Sequence, residues 1–101
     1  MSHSRIEFDW DPKKAASNRL KHGITFEAAM GVFRDPLAAT ILDPDRGADE
    51  ERWITLGRSG SGSLMLVVHT WAQIDSERAR VRIISARRPT RREARQYSEG
   101  G

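Results

Sequence analysis

Between Arg78 and Arg95 the chain reads RARVRIISARRPTRREAR, with eight arginines (78, 80, 82, 87, 88, 91, 92 and 95) and one acid, Glu93. No other stretch limits the fold as much. From Arg80 to Ala86, Val81, Ile83 and Ser85 alternate with Arg80, Arg82, Ile84 and Ala86, and successive side chains of a strand point to opposite faces. Such a strand belongs in a sheet with one face in a core and one cationic face in water. Pro89 ends it, because proline cannot donate a ladder hydrogen bond. Thr90-Arg91-Arg92-Glu93 then has the spacing of a capping box and predicts a last helix to about residue 98.

The same block sets the charge. Residues 1–77 carry nine Lys and Arg against twelve Asp and Glu, whereas residues 78–101 carry eight Arg against two Glu, for an overall +3. Every cation in the block is arginine, whose planar fork grips phosphate bidentately and stacks on bases. A polyanion, nucleic acid first, is the partner this pattern suggests. The plainer account is a solvated basic face with acids opposite it in the fold.

The remaining elements follow from pattern. Ile6, Phe8 and Trp10 alternate as in a strand. Asp11 and Pro12 suit the start of a helix, KKAASNRLKH, that stops at Gly23. Lys14, Asn18 and Lys21 share one face of it. Thr25 is the next N-cap, and Phe26, Ala29, Met30 and Phe33 form a core stripe ending at Asp35-Pro36. Strands are predicted at Leu37–Leu42, Arg52–Arg58, Leu64–Trp71 and Arg80–Ala86. Ser59–Ser63 makes a hairpin turn and 72–79 a polar connection. In the acidic loop 43–51, Asp43, Asp45 and Asp49 lack the spacing of a calcium loop. The expected fold is α+β: an N-terminal strand and two helices, an antiparallel four-stranded meander, and a C-terminal helix. Helices should lie on one face, with part of the other sheet face open.

A chain of 101 residues is expected to form a single domain over 1–101, with 1–5 and 99–101 disordered. It has no cysteine, and no run nears the ~20 apolar residues of a membrane span. A cytoplasmic protein with no membrane association is the default.

Three sets of residues together resemble the BrnT family of toxins from bacterial type II toxin–antitoxin pairs. The first is Phe8-Asp9-Trp10-Asp11, Lys14, Asn18, Lys21-His22-Gly23-Ile24, Phe26-Glu27 and Phe33. Glu51-Arg52, Ile54 and Gly57 form the second, and Ile84-Ser85-Ala86-Arg87-Arg88, Glu93 and Tyr97 the third. Pro89, where the family usually has Ala, and Ala94, where a basic residue is common, depart from the pattern. The resemblance implies a RelE-like ribonuclease fold, RNA cleavage and growth arrest. It also implies a BrnA-like ribbon-helix-helix antitoxin as partner, with operator DNA reached only through that antitoxin.

RNA can be cut by attack of its own 2′-OH on the adjacent phosphate, which needs a base, an acid and cations but no metal or cofactor. Arginine suits the growing phosphorane charge. Arg87 is the first candidate and Arg58 the second, each of which could instead pair with a carboxylate. His22 and Glu93 are candidate acid–base groups. Against these stand helix capping by His22 and a purely capping-box role for Glu93. His69, in the apolar strand, reads better as a hydrogen-bonded core residue. Candidate RNA-binding residues are Lys14, Lys21, Arg52, Arg80, Arg82, Arg88, Arg91, Arg92 and Tyr97, the last either stacking a base or packing on the sheet. Trp10, Trp53 and Trp71 read as core or antitoxin contacts. The same arginines would suffice for a non-catalytic nucleic-acid-binding or co-repressor module, and an interaction scaffold is a third reading.

Overall fold

Asp11 starts the first helix as its sequence predicts: the side chain accepts the Lys13 N–H at 2.9 Å and Pro12 takes the first helical position. Gly23, at φ 70°, closes it in the left-handed region where a side chain would be strained. The computed structural model describes residues 5–44 and 51–100. In order come β1 (Arg5–Asp9), α1 (Pro12–His22), α2 (Phe26–Ala29), a 3-10 segment (Met30–Arg34) and β2 (Ala39–Leu42). After them lie β3 (Trp53–Arg58), β4 (Leu64–His69), β5 (Ala72–Gln73), β6 (Arg78–Arg87) and α3 (Arg91–Gly100). Residue 5 thus opens a strand and residues 99–100 close a helix, where disorder was expected; 1–4, 101, Asp45 and Asp49 lie outside the described residues. The second helix is shorter than its apolar stripe suggested, tightening to 3-10 geometry at Met30. None of the described helices is long and apolar enough to cross a membrane.

The sheet is mixed and six-stranded, in the order β1-β6-β4-β3-β2, with β5 beside β6. β2, β3, β4 and β6 pair antiparallel in turn, but β1 adds to β6 in parallel. The supposed connection 72–79 contributes β5. β6 therefore lies inside the sheet, flanked along its first half by β1 and along its second by β4.

Within β6 the simple alternation fails. Val68 pairs with Ser85 and His69 with Ile83, so β6 carries one extra residue at Ile84, a β-bulge. The bulge exchanges faces. Ala86, rather than Ser85, joins Val81 and Ile83 in the core. Arg87 is turned the other way, opposite Leu66.

Two apolar clusters result, one on each side. Phe26, Ala29 and Val32 pack with Met65, Val67, Val81, Ile83 and Ala86 on one face. Leu56, Leu66 and Tyr97 form the other. α3 thus covers the face opposite α1 and α2, not the same one, because Leu66 and Met65 point to opposite sides of β4. Gly31 fixes the 3-10 segment close to the β3–β4 turn, where a Cβ would meet the Gly60 nitrogen at 2.8 Å. That approach brings Asp35 to the end of β3.

Candidate functional site

The arginine block is split by its neighbours. Parallel pairing sets Arg78, Arg80 and Arg82 beside Arg5, Glu7 and Asp9. Arg78 binds Glu7 at 3.2 Å and Asp75 at 2.9 Å, Arg80 reaches Glu7 at 3.7 Å, and Arg82 reaches Asp9 at 3.5 Å. This half has the acids beside its basic face that the plainer account expected. Arg80 and Arg82, expected to bind RNA, are already matched with carboxylates.

Past the bulge the surroundings change. Arg87 forms a two-pronged pair with Glu93, Nη1 to Oε1 and Nη2 to Oε2, each 2.9 Å. Glu93 Oε1 also accepts the Thr90 N–H at 2.8 Å, and Thr90 Oγ1 accepts the Glu93 N–H at 3.2 Å. Glu93 thus closes the capping box and holds Arg87 at once. These hydrogen bonds, the Arg87 guanidinium first, hold the Glu93 carboxyl down at about 2. The guanidinium is in turn pushed further toward its charged form by the same partner. Arg88, Arg91, Arg92 and Arg95 are exposed, and among the described residues no ion pair engages them.

Asn18 fixes the strand end that carries this pair. Its Nδ2 donates to the carbonyls of Ile24 (3.1 Å) and Ala86 (2.8 Å), and its Oδ1 accepts the Ala86 N–H at 3.1 Å. Asn18 is buried, so it is a clasp between α1 and β6 rather than part of a phosphate-binding face. Lys14 and Lys21 beside it are exposed, as is His22, one turn beyond Asn18 on the same helix face.

A second cluster sits farther along α3. Asp35 Oδ2 accepts the Tyr97 hydroxyl at 2.6 Å and the Arg58 N–H at 2.8 Å, and its Oδ1 accepts the Leu37 N–H at 2.9 Å. With the Tyr97 bond foremost, these lower the Asp35 carboxyl below its ordinary value, while Asp35 raises the phenol of Tyr97. The Arg58 guanidinium lies over the Tyr97 ring at 5.3 Å and donates to the Gly62 carbonyl at 2.9 Å. Tyr97 is buried on Leu56 and Leu66, so of its two expected roles this conformation uses packing.

The fold thus gathers Arg87, Glu93, Arg88, Arg91 and Arg92 at one sheet end, with Arg58 and Tyr97 on the same side. Arg52 is not part of this group. It precedes β3 at the end remote from Arg58, is half-buried, and has a buried Nε with no partner among the described residues. His69 is in the core, its Nε2 2.7 Å from Thr55 Oγ1 and its Nδ1 2.9 Å from the Thr70 carbonyl. Burial lowers its readiness to take a proton. Trp10 packs edge-on to Phe26, a core contact. Asp35 escaped the sequence reading, where Asp-Pro signalled only a helix stop, and no spacing links it to Tyr97, 62 residues away.

Residues 10–93 match the family described as ribonuclease toxin, BrnT, of type II toxin–antitoxin system. The fold is similar to the crystal structure of the Brucella abortus ribonuclease toxin BrnT, with a TM-score of 0.53 and 22% identity, over 86% of this chain and 97% of that one. No curated protein matches the chain.

Proposed function

The chain belongs to the BrnT family of ribonuclease toxins of type II toxin–antitoxin systems, and from that we propose that it is a cytoplasmic, metal-independent RNA endonuclease of RelE-like architecture. The observation that carries this reading is the Arg87–Glu93 pair at 2.9 Å, beside four exposed arginines with no ion-pair partner among the described residues. The arginines from Arg88 onward, with Lys14 and Lys21, hold the RNA backbone. Arg87 meets the phosphate at which charge grows. Glu93 fixes the plane of its fork and, being ionised, offers an oxygen toward the 2′-hydroxyl proton. His22 gives a proton to the departing 5′-oxygen, imidazole being the side chain most often used for such transfers. Arg87 keeps donors beyond the two that Glu93 takes and the one given to the Arg88 carbonyl at 3.2 Å, since guanidinium has five. Growth arrest follows from loss of RNA.

A BrnA-like ribbon-helix-helix antitoxin neutralises this surface and alone brings the pair to operator DNA. The face beside α3 suits a partner of mixed character. Ile41, 59% exposed, lines a shallow hollow with Glu93 and Gln96 of α3, the helix that carries the exposed arginines. An antitoxin segment with alternating apolar and acidic residues would cover both.

The test is incubation of purified protein with a short RNA in a metal chelator. Products ending in 2′,3′-cyclic phosphate are expected. RNA that is bound but never cut would instead favour the non-catalytic nucleic-acid-binding or co-repressor reading, for which the exposed arginines from Arg88 onward suffice.

A further inference from the structure

We propose that Arg58, positioned by Asp35 and Tyr97, grips the phosphate next to the one held by Arg87, so that the α3 side of the sheet takes two successive phosphates of one RNA strand. The proposal rests on the ribonuclease reading above for its substrate.

Arg58 is oriented by Asp35 without a direct ion pair to it, although their charges attract. Asp35 spends its oxygens on the N–H groups of Leu37 and Arg58 and on the Tyr97 hydroxyl. It therefore holds the backbone at Arg58 and the ring beneath the guanidinium, and leaves the guanidinium itself open. That group is steadied by the Tyr97 ring at 5.3 Å and the Gly62 carbonyl at 2.9 Å. Its residue is exposed, and among the described residues no ion pair closes it. A flat cation resting on an aromatic face loses little freedom when a phosphate arrives.

The spacing of the two cations is set by α3. Arg87 is held by Glu93 and Arg58 lies on Tyr97, and these two α3 residues are four apart, neighbours on one helix face. Four residues rise about 6 Å, a length comparable with the step between successive phosphates along a single strand. Sheet register places both arginines on one face and at one sheet end: Arg87 pairs with Leu66, Leu66 with Leu56, and Arg58 lies two residues beyond Leu56. Two strand steps and two residues put their Cα atoms about 12 Å apart, a gap that the two long side chains narrow by leaning toward α3. Tyr97 and Asp35 are thus positioning residues for Arg58.

The experiment uses a short RNA blocked against cleavage by 2′-deoxy sugars, with one linkage at a time made neutral as a methylphosphonate. For the wild type, neutralising either of two adjacent linkages should weaken binding about tenfold, the scale of one charge-assisted hydrogen bond. Arg58→Ala should erase the dependence at one linkage and keep it at the other, and Arg87→Ala should do the reverse. Asp35→Asn, and to a smaller degree Tyr97→Phe, should blunt only the linkage read by Arg58. Thermal melting checks folding, and Arg58→Lys, which keeps the charge and loses the fork, stands in if the alanine variant does not fold. The idea is overturned if both arginines report on one linkage, if their linkages are not adjacent, or if Asp35→Asn blunts both alike. Cleavage of the unmodified RNA is scored separately. An adjacent pair of sensitive linkages without cleavage would sink the ribonuclease reading and leave the clamp; cleavage without the pair would sink the clamp alone.

Discussion

The arginines at 78, 80 and 82 and those from 87 onward come from one run of sequence, yet they meet opposite surroundings. Around β1, β5 and the start of β6 the chain carries four arginines (5, 78, 80, 82) and four carboxylates (Glu7, Asp9, Asp75, Glu77), and Arg78, Arg80 and Arg82 pair with Glu7, Asp75 and Asp9. From 87 to 97 there are five arginines and a single carboxylate, Glu93. The first region is a solvated, charge-matched edge; the second keeps a surplus. Arginine count therefore says less about polyanion binding than does the charge of the strand alongside. β1 pairs along only the first half of β6, and at its end β6 is bordered by α3, which brings further arginines.

The comparison fails if the two halves behave alike, and the largest contrast should be at Arg87. Arg87→Ala should slow single-turnover RNA cleavage by about 10²–10³-fold, the scale of one strong oxyanion donor. Arg87→Lys should not restore it, because the fork is lost. Arg80→Ala should change the rate by no more than about threefold, as expected for an exposed ion-paired side chain. Equal losses at both positions would erase the distinction.

Next in size is Asn18, which holds the end of β6. Asn18→Ala removes three buried hydrogen bonds to Ile24 and Ala86 and should cost about 2–4 kcal/mol in urea unfolding. A loss under about 1 kcal/mol would mean that the Ala86 backbone finds other partners.

A smaller effect separates the two arginine sets by salt. Replacing Arg88, Arg91 and Arg92 with Gln should make the slope of log affinity against log salt shallower by about 2, near 0.7 per phosphate on a single strand. The same replacement at Arg78, Arg80 and Arg82 should leave that slope unchanged. Fluorescence titration at several salt concentrations measures both.

The pH dependence should show two steps. His69 has its proton affinity lowered by burial, so the unfolded chain binds the proton more readily and stability falls as pH drops below 6.5. Glu93 is lowered from 4.5 to about 2, so its contribution is present above 4.5 and is lost as pH falls toward 2. Glu93→Gln should shrink the second step and leave the first unchanged; the remainder belongs to Asp35 and Asp75, whose carboxyls are also lowered. Smallest of all, Glu7→Gln should cost under about 1 kcal/mol, since its bridges to Arg78 and Arg80 are partly exposed.

Much of the local structure was legible. The caps at Asp11, Gly23, Thr25 and Thr90 lie where local chemistry put them, because a cap is satisfied by atoms two to four residues away. The capping box of Thr90 and Glu93 was legible for the same reason, but the pairing of Glu93 with Arg87 was not read from it. Asp35 was not legible, since its partner Tyr97 is brought to it only by the sheet and α3. Nor was the neutral half of the block: nothing local to Arg80 shows that Glu7 will lie beside it.

By itself, then, the sequence determined where elements start and stop, that β6 would have a cationic side, and that Glu93 would cap α3. Those features depend on short-range geometry, which a linear pattern records. Tertiary structure alone decided which arginines keep their charge unmatched, which way Arg87 points and what steadies Arg58. The parallel docking of β1 supplied the acids. The bulge at Ile84 turned Arg87 from the core face to the α3 face. Each is a choice of partner and register between distant segments, made by the packing of two opposed apolar clusters, and no periodicity within one segment can carry it.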